Sequence, residues 1–178
     1  MNRFVVFDGE SVKVLFVSPF LEPAWAMGGM PKACAAWARV LAAQGVEVAV
    51  FTATTNTHGE LHVVPNVPID RGAFKVTYFP RWRWSGNRFI STPLTRACGR
   101  RTTNFDAVHV VGLWPPPSGV RCLAARCARV PFIMNMLCEM RKNGVRLDQD
   151  QFSPDRLGRL FAAFLEHVVC DYRKSDRT

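Results

Sequence analysis

The stretch from Lys13 to Val50 leaves this chain few ways to fold. Val14 to Val17 is an unbroken apolar run of strand length, as in a strand covered on both faces. A loop follows, from Ser18 to the pair Gly28-Gly29. Pro31 suits a first helical turn, where its missing N–H costs nothing, and the alanines, leucine and arginine from Ala33 to Ala43 favour helix. Gly45 stands where a left-handed cap would end that helix, and Val46 to Phe51 reads as a second buried strand. A helical crossover of this length implies parallel strands in a right-handed βαβ unit. Ligands of such sheets bind beyond the carboxyl ends of the strands, so the Ser18–Gly29 loop is expected to face one.

The rest of the chain extends this pattern. Val63 to Pro68 reads as an extended, turn-rich insertion, and Lys75 to Phe79 alternates as a strand that Pro80 stops. A helix is expected over Pro93–Arg101, with Leu94, Ala97 and Cys98 inward and Arg96, Arg100 and Arg101 outward. Asn104-Phe-Asp106 is a turn, and Ala107–Val111 is another buried strand. Ser118 can cap a helix running to about Arg129. Pro131–Asn135 is a further strand, and Asp155–Val169 carries apolar residues at helical spacing. The fold class is therefore α/β, a Rossmann-like parallel sheet with helices on both faces. Residues 1–12 read as a short polar extension, 13–170 as the domain and 171–178 as a polar tail.

Composition narrows the function classes. Hydrophobic residues make up 48% of 178, enough for a real core and too many for a disordered chain. No apolar run approaches the ~20 residues of a membrane helix. Asp8, Glu10 and Lys13 interrupt any signal-peptide layout, which makes a cytoplasmic protein the default. The six cysteines show neither C-x-x-C pairing nor zinc-finger spacing, so they read as reduced core residues and no metal site is expected. The net charge of +9 favours anionic partners, such as phosphate-bearing ligands, an acidic membrane surface or nucleic acid.

Gly28 and Gly29 precede a helix, where backbone N–H groups and the helix dipole favour an anion; the plain alternative is a flexible turn. His109 lies within a buried strand, where a lone histidine is more often a hydrogen-bonded core residue than a catalyst. Gly112 and Trp114 fall just past that strand, where a sugar ring can stack on the indole. Arg81-Trp-Arg83-Trp suits stacking on bases or sugars, or contact with lipid headgroups, against a plain reading as a rim loop covering the core edge. His58 and His62 are four apart, but Gly59 and the following Val-Val-Pro argue for a solvent loop rather than a zinc helix. There is no G-x-G-x-x-G, no P-loop and no G-x-S-x-G elbow, which disfavours dinucleotide binding, P-loop hydrolysis and the α/β-hydrolase mechanism.

Taken together, four stretches resemble the amino-terminal domain of a family 4 glycosyltransferase of the GT-B fold. They are Val14-Leu-Phe-Val-Ser-Pro-Phe with Gly28-Gly29, Ala38 to Val50, Val76-Thr-Tyr-Phe-Pro-Arg-Trp, and Phe105-Asp-Ala-Val-His-Val-Val-Gly-Leu-Trp114. The second is similar to the family's LAxxLxxxGHEVxVxT, with Val46 in place of the usual histidine. The fourth is similar to FDVVHVHGLW, with Val111 at the second histidine. Where the family has SPHGM or SPRGM, this chain has Asn135-Met-Leu-Cys-Glu-Met140, so Leu137 replaces a residue that faces the cleft.

The resemblance implies an acceptor-side domain of an enzyme that transfers a sugar, with retention, from a nucleotide-sugar to an acceptor. That nucleotide-sugar is a substrate; no cofactor is implied, and often no metal. Gly28 and Gly29 would approach donor phosphates or acceptor, while His109, Gly112 and Trp114 would line the cleft. The donor-binding half is not in this sequence, so turnover by this chain alone is not expected. A truncated product, half of a split enzyme and an inactive remnant all fit, and self-association through uncovered cleft surface would follow. The alternative is a non-catalytic module holding an acidic membrane through Arg81, Arg83, Arg100 and Arg101, at the inner face of the membrane. No recognised nucleic-acid motif supports nucleic-acid binding.

Overall fold

The structure, a computed structural model, describes residues 6–7, 10–56, 59–81, 91–111, 130–135 and 163. Two short strands, β1 (Val6–Phe7) and β2 (Glu10–Ser11), pair antiparallel at the start. Val12, read from sequence as part of the extension, is buried in the core. β3 (Lys13–Val17), α1 (Gly29–Ala43) and β4 (Glu47–Ala53) then form the expected βαβ unit, with β3 and β4 parallel. The helix ends at Gly45, whose φ is 87°. The Gly45 N–H donates to Ala42 O at 2.9 Å and the Val46 N–H to Leu41 O at 3.2 Å. These two bonds are a Schellman cap, and its apolar partners Leu41 and Val46 are both buried.

Beyond a small hairpin of β5 (Thr55–Asn56) and β6 (Gly59–Glu60) come β7 (Pro68–Asp70), β8 (Lys75–Phe79), α2 (Thr92–Arg101), β9 (Ala107–Val111) and β10 (Phe132–Asn135). The main sheet has six strands in the order β10-β9-β3-β4-β8-β7. All its pairs are parallel except β7 with β8. That antiparallel edge was not anticipated. It is closed by a local turn: the Gly72 N–H donates to Asp70 Oδ1 at 2.7 Å, Gly72 has φ 80°, and the Arg71 N–H donates to Phe74 O at 2.9 Å. Pro68, with no N–H to give, begins an edge strand, where its missing donor is tolerated.

Alternation along the strands splits the core in two. Val14, Phe16, Val50, Val76 and Tyr78 face α1, which buries Cys34, Ala35, Ala38 and Leu41 against them. Leu15, Val17, Phe51, Phe79, Val108 and Val110 face α2, which contributes Leu94 and Cys98. Helices thus cover both faces. The α2 helix starts at Ser91, whose Oγ accepts from the Leu94 N–H at 3.2 Å and donates to Pro80 O at 2.6 Å. The helix expected over Ser118–Arg129 and the polar tail lie outside the described residues. So does the helix over Asp155–Val169, apart from Ala163, which is helical and exposed.

Candidate functional site at the topological switch point

From β3 the chain winds outward through β4 to β8, then returns to place β9 and β10 on the other side of β3. The winding therefore reverses between β3 and β9. In open α/β sheets the crevice outside the carboxyl ends of the strands at such a reversal is where ligands bind. The loop after β3 and the carboxyl end of β9 flank that crevice.

The first of these loops is held firmly at three points. Ser18 continues the edge of β3, its N–H donating to Phe51 O at 3.0 Å, and its buried hydroxyl donates to Phe20 O at 2.7 Å. Leu21 and Ala24 are buried in the α1-side core. Between them Glu22 receives the Tyr78 hydroxyl on its carbonyl, and its carboxylate pairs with Arg39 of α1 at 2.6 Å. Arg39 in turn lies over the Phe74 ring, 5.8 Å from its centroid. A short 3₁₀ turn, Trp25–Met27, leads into Gly28 and leaves the Trp25 indole 48% exposed. Burial pushes the Tyr78 hydroxyl up and the Cys34 thiol to about 12, so both remain protonated here.

Gly28 caps α1 with φ 87° and ψ −145°, a conformation that glycine adopts freely, and no side chain caps the helix. Gly29 is the first helical residue, and a Cβ added at either glycine would meet nothing within 4 Å. Pro31 occupies the third helical position and has no N–H, so the exposed donors at this end are the Gly29 and Met30 amides. The first turn carries no acidic residue, and Lys32 places a positive charge at the positive end of the dipole. Helix stability alone favours the opposite sign. The arrangement suits an anion lying across the helix start.

His109 is in the middle of β9, beside Phe16 of β3 and Ile133 of β10 in register. Its ring meets Phe16 edge-on at 4.5 Å and is 1% exposed, and burial lowers its pKa to about 4. It is thus a neutral residue beneath the crevice and presents no open surface. Gly112 and Trp114 lie outside the described residues; β9 ends at Val111, so both follow its carboxyl end directly.

Among the described residues, Arg81 does not share a surface with Arg100 and Arg101. Arg81 is largely covered and its Nε lies 3.5 Å from Glu60 Oε1, while Arg83 is outside the described residues. Arg100 and Arg101 sit in the last turn of α2, exposed, about 14 Å along the helix from Ser91, which is bonded beside Arg81. Trp25, Glu22, Arg39 and Lys32 were not singled out from sequence. A tryptophan inside the loop that follows the first core strand was the available signal for Trp25.

A family model described as a glycosyl transferase 4-like domain matches residues 28–174. No curated protein is significantly similar to the chain. The match begins at the glycine start of α1 and runs through β10, so it takes in most of the sheet on which the crevice is built. By that match, the chain belongs to the glycosyl transferase 4-like family.

Proposed function

We propose that this domain supplies the acceptor-side wall of a glycosyl-transfer site and needs a donor-binding domain to turn over. The observation that carries the reading is the start of α1. It is uncapped by any side chain, lined by two exposed glycines, flanked by Lys32 and set at the topological switch point. Such a helix start can take a phosphate of a nucleotide-sugar donor or an anionic acceptor. The Gly29 and Met30 amides would donate to phosphate oxygens, and the Gly28 backbone leaves room for close approach. Trp114, just past β9, would give a sugar ring an apolar face to stack on, and Gly112 would keep that edge open. His109 supports the crevice from below by packing against Phe16. A sugar-transfer step driven by this wall alone is not part of the proposal, because most of the donor's contacts would come from the donor-binding domain, with the phosphates left to this helix start.

Titration of the full chain with UDP-glucose and GDP-mannose, read by calorimetry, tests this. Saturable binding of at least one, weakened tenfold or more by Gly29→Trp, is the expected result. Equal affinity in Gly29→Trp, or no saturable binding of either donor, would overturn the role given to the loop.

A further inference from the structure

On the far side of the sheet from α1, the outer face of α2 forms one wall of an open groove of about 410 Å³. Thr92, Pro93, Arg96, Ala97, Arg100 and Arg101 line that wall at helical spacing, and Asn66 stands on the opposite wall. Arg96, Arg100 and Arg101 are all exposed, and among the described residues the ion pairs are made by other arginines, Arg39 and Arg81. Arg100 and Arg101 gain from the helix dipole in the last turn. Arg96 does not, and it repels Arg100 one turn away. Fold stability therefore does not account for the cluster.

The loop carrying Asn66 supplies a second, independent observation. Val64 and Val67 are 61% and 49% exposed, two of the four large apolar side chains exposed among the described residues. The loop cannot readily fold them inward. Its Asn66 N–H is bonded to Tyr78 O at 2.7 Å, Asn66 has φ 62°, and Leu61 and Val63 pack on the core behind it. A fixed pair of exposed valines in the loop beside arginines that make no ion pair among the described residues suits an interface that is anionic at its surface and apolar beneath.

We infer that this face docks on a membrane containing acidic phospholipid, with a headgroup phosphate in the groove and Val64 and Val67 entering the acyl boundary. Guanidinium forks from Arg96 and Arg100 match phosphate oxygens, and the Thr92 hydroxyl and Asn66 amide complete a polar wall. The chain's charge of +9 adds long-range attraction to such a surface. No helix among the described residues is long and apolar enough to cross a membrane, and the inference requires only surface contact. Nucleic acid fits less well, since the described lining of the groove contains no aromatic ring for base stacking and valines gain nothing against a phosphate backbone. The inference is independent of the glycosyl-transfer reading, which concerns the other helix.

Co-sedimentation with phosphatidylglycerol–phosphatidylcholine vesicles, against pure phosphatidylcholine, tests it. The full chain should bind the acidic vesicles only. The R96S/R100S/R101S variant should lose at least tenfold in partitioning, and V64S/V67S should lose the part of binding that survives high salt, where surface charges are screened. All these positions are exposed, and unchanged circular dichroism and melting would establish that the variants fold. Parent-like binding by the arginine variant overturns the inference. So does binding of duplex DNA, but not of acidic vesicles, that the same substitutions abolish. Unchanged high-salt binding in V64S/V67S removes the inserted valines from it.

Discussion

The two helices cover opposite faces of one sheet, yet they are finished differently. The α2 side is closed: its helix is capped by a buried serine that both accepts and donates, and the strand residues beneath it are apolar apart from Thr77. The α1 side carries buried polar and titratable groups, Ser18, Cys34, Tyr78 and His109, and its helix begins with bare glycines. Only the C-terminal end of α1 is finished as a structural helix end, by the Gly45 cap. One sheet thus provides its own control. What α2 uses to stabilise its start, α1 omits at the end that faces the crevice, and the omission is local.

The largest test of this asymmetry is pH. Burial lowers the His109 pKa to about 4, against an ordinary value of 6.5 in the unfolded chain. Above 6.5 the residue is neutral in both states and costs nothing. As pH falls from 6.5 toward 4, the unfolded chain takes up the proton first, and stability drops. The loss reaches about 3 kcal/mol at the folded pKa. Urea unfolding at several pH values, compared with His109→Leu, should show a shallower fall in the variant. Parallel curves would mean that His109 does not titrate in this window and that the interior of the α1 side is no less finished than the other.

Gly28→Ala comes next. With φ 87° and ψ −145°, the residue occupies a region nearly closed to side chains, although space around it is open. The cost is therefore backbone strain, about 1–3 kcal/mol. A lower urea midpoint with unchanged slope is the expected reading.

Much of the fold beneath this asymmetry was legible in the sequence. The βαβ unit, the Gly45 cap, the β9 strand and the inward face of α2 all follow from apolar spacing and from where glycine and proline stand, because those signals are local. The antiparallel β7 was missed, although Asp70-Arg-Gly72 carries a turn signature. Its three residues are too few to show alternation, and their pairing with β8 is a tertiary choice. Ser91 as a cap was missed because the residues before it give no strand or helix pattern to cap. At the site, Gly28 and Gly29 were legible as a pair, but what holds them was not. The Tyr78 hydroxyl reaches Glu22 from 56 residues away, and Arg39 reaches it from 17. Arg81 and Arg100 read alike in the sequence, and only the fold separates one that is covered beside a glutamate from one that faces a groove.

On the closed side, Ser91→Ala removes the cap of α2 and leaves its partner at Pro80 O without a donor. A loss of about 1–2 kcal/mol is expected. Because the serine belongs to the opposite face of the sheet from the crevice loop, beside Pro80 at the end of β8, nucleotide-sugar affinity should be unchanged once the variant is folded. A parallel loss of affinity would mean that the two sides are coupled.

The smallest change in stability carries the sharpest contrast. Gly29 has an ordinary helical backbone and open space where a Cβ would be, so the fold has no need of glycine there. Gly29→Ala should leave the urea midpoint unchanged or raise stability by about 0.5 kcal/mol, since alanine loses less freedom on entering a helix. A residue kept bare for something that approaches from outside behaves differently in binding. A methyl group between the Gly29 amide and a phosphate should cost roughly tenfold in nucleotide-sugar affinity, about 1.4 kcal/mol. Unchanged stability with weakened binding would separate this helix start from that of α2, where stability falls and binding stays. If both quantities stay at parent values, Gly29 faces nothing, and the open end of α1 is a solvated turn whose glycines serve only to let the chain enter the helix.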